Sequence, residues 1–204
     1  MTTDLSKLGS AKTDFMTSFI KALSNEGFIS NNSTDKGGFT YKGISRTKHQ
    51  SWPGWKIIDE IFRSTDYQSV QQINSNPILQ NLVQGFYLTE FWNKIQGDIL
   101  PTQNIANEIF ESSINLGVSA ASEILQRTIN LLNRNSKLFP DISVYGIIGN
   151  ETLAALRKCI EANGEKLIYN ILNFYQAKHY IQIMEKDHTQ EIFIGWFSRI
   201  DIIK

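Results

Sequence analysis

What this 204-residue chain has little of narrows its chemistry first. There is a single cysteine, Cys159, so no internal disulfide can form and no cysteine-rich metal site can be built. A fold stapled by oxidation is excluded. Charge of either sign is not in excess: Lys plus Arg and Asp plus Glu each number 20. That balance gives no reason to expect nucleic acid or an acidic membrane surface as a partner. No apolar run is long enough to span a bilayer, so stable membrane insertion is not expected. The first seven residues, Met-Thr-Thr-Asp-Leu-Ser-Lys, lack the apolar core of a secretory signal. The expectation is a chain made in the cytoplasm without a signal peptide. Internal repeats, a phosphate-cradling glycine loop, zinc-ligand spacing and low-complexity tracts are missing too.

What is present is a chain with 41% hydrophobic residues, enough to bury a core as one domain or two small lobes. Most of the pattern is helical. Asp14 or Thr13 can cap a helix to about Asn25, with Phe15, Phe19, Ile20 and Leu23 on one face and Met16 at its edge. A short helix from Gly54 to Arg63 turns Trp55, Ile58 and Phe62 inward. Asn76-Pro77 opens a longer helix to about Gln96, because proline suits a first helical turn. Ile78, Leu79, Leu82, Val83, Phe86, Tyr87, Phe91 and Trp92 form its broad apolar stripe. Further helices are expected at about 102–113, from Gly117 to Asn133, after an Asn150 cap, from Gly164 to about Lys186, and from about Thr189. The helix ending near Lys186 places Ile168, Ile171, Leu172, Tyr175, His179 and Ile183 inward, with His179 as a core histidine. His49 has no visible partner for metal or triad work.

One stretch, residues 26–45, breaks this pattern. Glu26 stands at the end of the first helix, Asp35 follows nine residues on, and Thr40 precedes the return of apolar residues at Ile44. Fully extended, nine residues would separate the two acids by roughly 30 Å. Ser30-Asn31-Asn32-Ser33 and Asp35-Lys36-Gly37-Gly38 are residue types that let a chain reverse. Two carboxylates and a hydroxyl gathered by such a reversal are what glycoside hydrolysis needs. One acid protonates the leaving oxygen, and the other activates water or stabilises the oxocarbenium charge, at a separation of about 5 to 9.5 Å. Phe28 or Phe39 can supply the apolar wall that keeps Glu26 protonated near neutral pH. On position alone, a glutamate at a helix end is ordinarily solvated, and an Asp before Lys-Gly-Gly is an ordinary turn former. Ser51-Trp52-Pro53-Gly54-Trp55 offers flat aromatic faces for a sugar ring, or packing beneath the loop.

The same stretch resembles the signature of glycoside hydrolase family 108, the N-acetylmuramidases also called secretion activators. Its pattern runs Glu-Gly-Gly, Asn-Asp-Pro, Asp-Pro-Gly-Gly, then Thr and Gly-Ile. Glu26, Gly27, Asn31, Asp35, Gly37, Gly38, Thr40, Gly43 and Ile44 fall in register with it. Phe28, Asn32, Ser33 and Lys36 depart from it, and Asn32 removes one candidate carboxylate. Tyr87-Leu88-Thr89-Glu90-Phe91-Trp92, the segment from Phe110 to Gln126, and Gly195-Trp196-Phe197-Ser198-Arg199-Ile200 resemble later family segments. Tyr145-Gly146-Ile147-Ile148-Gly149-Asn150-Glu151-Thr152-Leu153 resembles the glycine turn of peptidoglycan-binding modules, with Tyr145 where Asp is usual and Asn150 where Pro is usual.

The resemblance implies a mainly α, lysozyme-like fold with a small β or irregular segment near residues 28–45. It implies a catalytic lobe at 10–115 and a helical peptidoglycan-binding lobe at 116–204. The implied activity is hydrolysis of the β-1,4 bond between N-acetylmuramic acid and N-acetylglucosamine, with peptidoglycan glycan strands as partner and no metal or cofactor. Glu26 is then the general acid, Asp35 and Thr40 assist the water or the charge, and Asn31, Tyr41 and Trp52 contact the sugars. Action in the periplasm would need a holin or an export machine for delivery. Alternative expectations are a lytic transglycosylase using Glu26, and an inactive wall-binding or secretion-associated protein.

Overall fold

The computed structural model describes residues 12–23, 29–31, 38–64 and 69–203. Helices dominate: α1 Phe15–Leu23, α2 Gly54–Ser64, α3 Ser69–Ser75, α4 Pro77–Tyr87, α5 Gln103–Leu116, α6 Val118–Leu131, α7 Asn150–Asn163 and α8 Glu165–Lys186. The strands β1 Ile29–Asn31, β2 Phe39–Tyr41 and β3 Ile44–Ser45 form one antiparallel sheet in the order β1-β2-β3. The fold class is therefore the mainly α one expected, with its small sheet inside the expected segment. Among the described residues no helix is long and apolar enough to cross a membrane.

The chain divides into two compact units. One is Phe19–Glu90; the other joins the stretch up to Ser18 with Phe91–Lys204. The first unit contains the sheet and α2 to α4. Its core is aromatic: Trp52 stacks on Tyr41 at 6.4 Å between ring centres and meets Trp55 edge-on at 5.0 Å. Phe39 meets Trp55 edge-on, and Phe86 meets Tyr87. Edge-to-face pairs of this kind add to the area they bury.

The second unit rests on α5, α6 and α8. Ile105, Ile109 and Phe110 of α5 are fully buried, as read from the sequence. Asp14 does cap α1, its carboxylate accepting from the Met16 and Thr17 amides. Thr102 caps α5, accepting from Ile105 N.

Several expectations need correction. Ile20, Phe62 and Ile78 are not inward: their exposures are 63%, 42% and 62%. The helix opened by Pro77 does not run regularly to Gln96 but passes into a π-helical turn at Leu88–Trp92. The last helix is 3₁₀, His188–Arg199. It is kinked at Phe193, whose backbone is not helical, and the Phe193 and Trp196 rings stack within 3° of parallel. Gly149, not Asn150, is the N-cap residue of α7. The buried face of α8 is Ile168, Tyr169, Leu172, Asn173, Gln176 and Tyr180, rotated from the expected stripe. Asparagines of α8 are bonded to the chain's last residues. Asn173 Oδ1 accepts from Asp201 N at 2.7 Å, and Asn170 exchanges two hydrogen bonds with the Ile203 backbone. His179 is half-buried rather than a core residue.

The loop between α6 and α7 has no regular structure, and side-chain amides of α6 and of Asn133 just beyond it supply its partners. Gln126 is fully buried and uses both ends of its amide. Its Oε1 accepts from the Tyr145 and Gly146 amides, each at 3.0 Å, and its Nε2 donates to Ile147 O and Thr152 Oγ1. Asn130 exchanges two bonds with Ile142, and Asn133 donates to Phe139 O and accepts from Phe139 N. Positions 126 and 130 lie on one face of α6 at the i, i+4 spacing, and Asn133 follows two residues past its end. Buried backbone groups must find partners, and here one row of amides provides them.

Candidate functional site

Three of the expected site residues, Asn31, Thr40 and Tyr41, fall in the sheet. β1 pairs with β2 antiparallel, Ile29 opposite Tyr41, Ser30 opposite Thr40 and Asn31 opposite Phe39. The chain therefore reverses between Asn31 and Phe39, as the turn residues required. Tyr41 pairs with Ile44 across a two-residue turn, Lys42-Gly43, both with positive φ (44° and 78°). Turns of this hand match the twist of the strands they join, and glycine is the residue that adopts them without strain.

Gly43 is required for a second reason. A Cβ built there would lie 2.6 Å from the Tyr87 hydroxyl. That hydroxyl donates to Lys42 O at 2.7 Å, so α4 pins the hairpin through the turn's own backbone. Gln80, also on α4, completes the support. It donates to the Tyr41 hydroxyl at 2.9 Å and to Asn74 O at 3.1 Å, and accepts from Lys42 Nζ. Burial pushes the Tyr41 hydroxyl pKa up, with Gln80 opposing it, and burial pulls the Lys42 ammonium pKa down.

Side chains alternate along a strand. Phe39 and Tyr41 turn into the aromatic core, which leaves Thr40 on the opposite face with its partner Ser45. Thr40 is half-exposed, and its hydroxyl makes no hydrogen bond among the described residues. Ser45 is buried and accepts from Lys48 N. Thr40 is therefore the described hydroxyl of this sheet available to a water or a substrate.

Tyr41 is fully buried and Trp52 only 8% exposed, so both form the floor beneath the sheet. Gly54 makes room for Trp52, since a Cβ there would fall 2.2 Å from its ring. The Trp52 indole Nε1 is buried with no hydrogen-bond partner among the described residues. Asn31 takes its place in β1 opposite Phe39. Glu26 and Asp35 lie outside the described residues. In sequence, Asp35 is four residues from each member of the Asn31–Phe39 pair, and Glu26 is three residues before Ile29.

Asp59 of α2 is a carboxylate held by Arg46, the residue that follows β3. Arg46 grips it with two parallel bonds, Nη1 to Oδ1 at 2.8 Å and Nη2 to Oδ2 at 2.7 Å, while its guanidinium lies 5.4 Å from the Trp55 ring centre. Hydrogen bonding from Arg46 holds the Asp59 pKa below the usual carboxylate value. An acid kept ionised in this way is a poor proton donor. Among the described residues no cluster of His, Cys, Asp or Glu could hold a metal ion.

Gln80 and Tyr87 were missed as supports of the site. Both act over about forty positions of sequence, and no local pattern signals such a bond.

Comparison with known proteins fits this arrangement. Residues 19–117 match the family described as glycosyl hydrolase 108, and residues 120–201 match a family described as a predicted peptidoglycan domain. The solved structure of Brucella abortus SagA is similar at 22% identity and a TM-score of 0.60, covering 91% of this chain and 88% of that one. At that identity the likeness speaks for the fold alone. No curated protein matches.

Proposed function

The chain belongs to the glycosyl hydrolase 108 family over residues 19–117 and carries the peptidoglycan domain over residues 120–201, and on that premise we propose that it cleaves the β-1,4 bond between N-acetylmuramic acid and N-acetylglucosamine. The boundary between the two matches supports a catalytic lobe at 10–115 and a wall-binding lobe at 116–204. Glu26 is the general acid of this reading, and Asp35 and Thr40 orient the water or stabilise the oxocarbenium charge. Asn31 contributes to sugar contact from β1, while Tyr41 and Trp52 contribute as the floor on which the sheet is set. The periplasmic wall is the place of action, reached through a holin or an export machine.

The observation that carries the reading is the hairpin. Its register sets Thr40 on the open face of the sheet, and the candidate acids stand in the sequence on either side of β1. Asp59 is held ionised by Arg46 and leaves the donor's role to another acid.

The test is mass spectrometry of borohydride-reduced fragments from purified peptidoglycan, after digestion by the wild type and by Glu26→Gln. Reducible muramic ends from the wild type alone are expected. Anhydro-muramic ends would replace hydrolysis by transglycosylation. Fragments from both proteins in equal yield would remove Glu26 from the mechanism, and fragments from neither would leave a binding protein.

A further inference from the structure

Between α6 and α8 runs an open groove of about 1020 Å³, lying within the unit formed by Phe91–Lys204 and its N-terminal companion. Its lining mixes polar groups with the aliphatic side chains of Val118 and Ile124 of α6 and Val144 of the following loop. Tyr175 is the one Phe, Tyr or Trp of its lining, which also includes the His179 imidazole. Its rim carries Arg127 and Lys178 against one carboxylate, Glu123, in a chain whose overall charge is zero. Arg127 meets Glu123 at 3.3 Å, but their side chains are 52% and 38% exposed. Such a pair contributes little and is easily exchanged for another partner. Lys178 makes no ion pair or hydrogen bond among the described residues.

This lining suits an anionic peptide better than a sugar chain. Saccharides are held by several exposed aromatic faces, and the groove has one. Carboxylates suit a guanidinium and an ammonium set a few side chains apart, and small methyl groups suit valine and isoleucine side chains. We propose that the groove between α6 and α8 holds the peptide stem of peptidoglycan, its carboxylates at Arg127 and Lys178 and its alanine methyls against Val118, Ile124 and Val144. The assignment rests on the reading that this protein acts on peptidoglycan, and it gives the wall-binding lobe a ligand chemistry distinct from that of the catalytic lobe.

The test is calorimetric titration of the full chain with the free stem tetrapeptide, L-Ala–D-Glu–diaminopimelate–D-Ala, and separately with glycan strands stripped of peptide. The Arg127→Glu, Lys178→Glu double variant changes two surface positions and should weaken tetrapeptide binding by roughly tenfold or more, as loss of charge-assisted bonds requires. Glu123→Gln frees Arg127 and should tighten it. Lys158→Glu on α7, outside the groove, should leave it unchanged. Equal tetrapeptide affinity in the wild type and the double variant would overturn the assignment. So would loss of bare-glycan binding in the double variant, which would hand the groove to the sugar chain. The two readings fail separately. A wild type that digests peptidoglycan but binds no tetrapeptide loses only the groove, and one that binds the tetrapeptide but digests nothing loses only the hydrolase.

Discussion

The Tyr87 hydroxyl sits 2.7 Å from the Lys42 carbonyl and in the space a Cβ at position 43 would claim. Two demands on the hairpin turn, a positive φ and a close neighbour, thus meet at Gly43.

Replacing Gly43 with Ala should destabilise the protein by about 1–2 kcal/mol from backbone strain, with a further cost from the displaced hydroxyl. Tyr87→Phe alone should cost about 1 kcal/mol, the worth of one hydrogen bond. In the double variant the crowding is relieved, so urea denaturation should show a total smaller than the sum. Strict additivity would refute the contact.

Thr40→Ala separates activity from stability. Its side chain is half-exposed and unbonded among the described residues, so the urea midpoint should move by no more than about 0.5 kcal/mol equivalent. Digestion of purified peptidoglycan should fall roughly tenfold or more, as expected when a group that positions water is lost. An undiminished rate would take Thr40 out of the site.

The Arg46–Asp59 pair predicts a pH dependence of defined sign. The Asp59 pKa is lower in the folded chain than in the unfolded one, so folding favours the ionised form. The pair's stabilising effect is complete above the unfolded value of about 3.9 and is lost as pH falls through the lower folded value. Both side chains are at least a third exposed, at 41% and 33%, so the effect is modest. Denaturation of wild type and Asp59→Asn between pH 6 and pH 2 should therefore show a gap that narrows on acidification. A gap that widened would reverse the assignment.

Gln126→Leu should be among the costlier single changes in the second unit. It keeps the volume but strands the Tyr145 and Gly146 amides, which accept no substitute partner from an aliphatic chain. Each unsatisfied buried group costs about 1–3 kcal/mol. Chemical denaturation should register the loss, and hydrogen exchange should show the Gly146 amide deprotected more than those of α5.

Local signals were legible and distant ones were not. Pro77, Thr102, Gly117 and Gly164 marked helix limits because each acts on its own turn of chain. The reversal before Phe39 was legible in its turn residues for the same reason. The α8 face was misread because Asn173 and Gln176 are buried, and a hydrophobic pattern assigns such residues to solvent. The π turn at Leu88–Trp92 continues an unbroken apolar period, so nothing in the pattern announced it. At the site, sequence indicated a chain reversal within a small β or irregular segment and named Thr40 as a candidate. It left open whether Trp52 stacks on sugar or packs beneath the loop, and 8% exposure places it beneath. Glu26 and Asp35 rest on the motif register alone.

The amides of Gln126, Asn130 and Asn133 reach mostly main-chain atoms: Tyr145 N, Gly146 N, Ile147 O, Ile142 N and O, Phe139 N and O. Every residue type offers the same carbonyl, and all but proline the same amide. Apart from Gly146, whose positive φ and close approach to Ser119 call for glycine, the loop is therefore held by its trace and not by its spelling. Tyr145 and Asn150 can stand where an aspartate and a proline are usual without loosening it, while the helix that grips it has no such freedom.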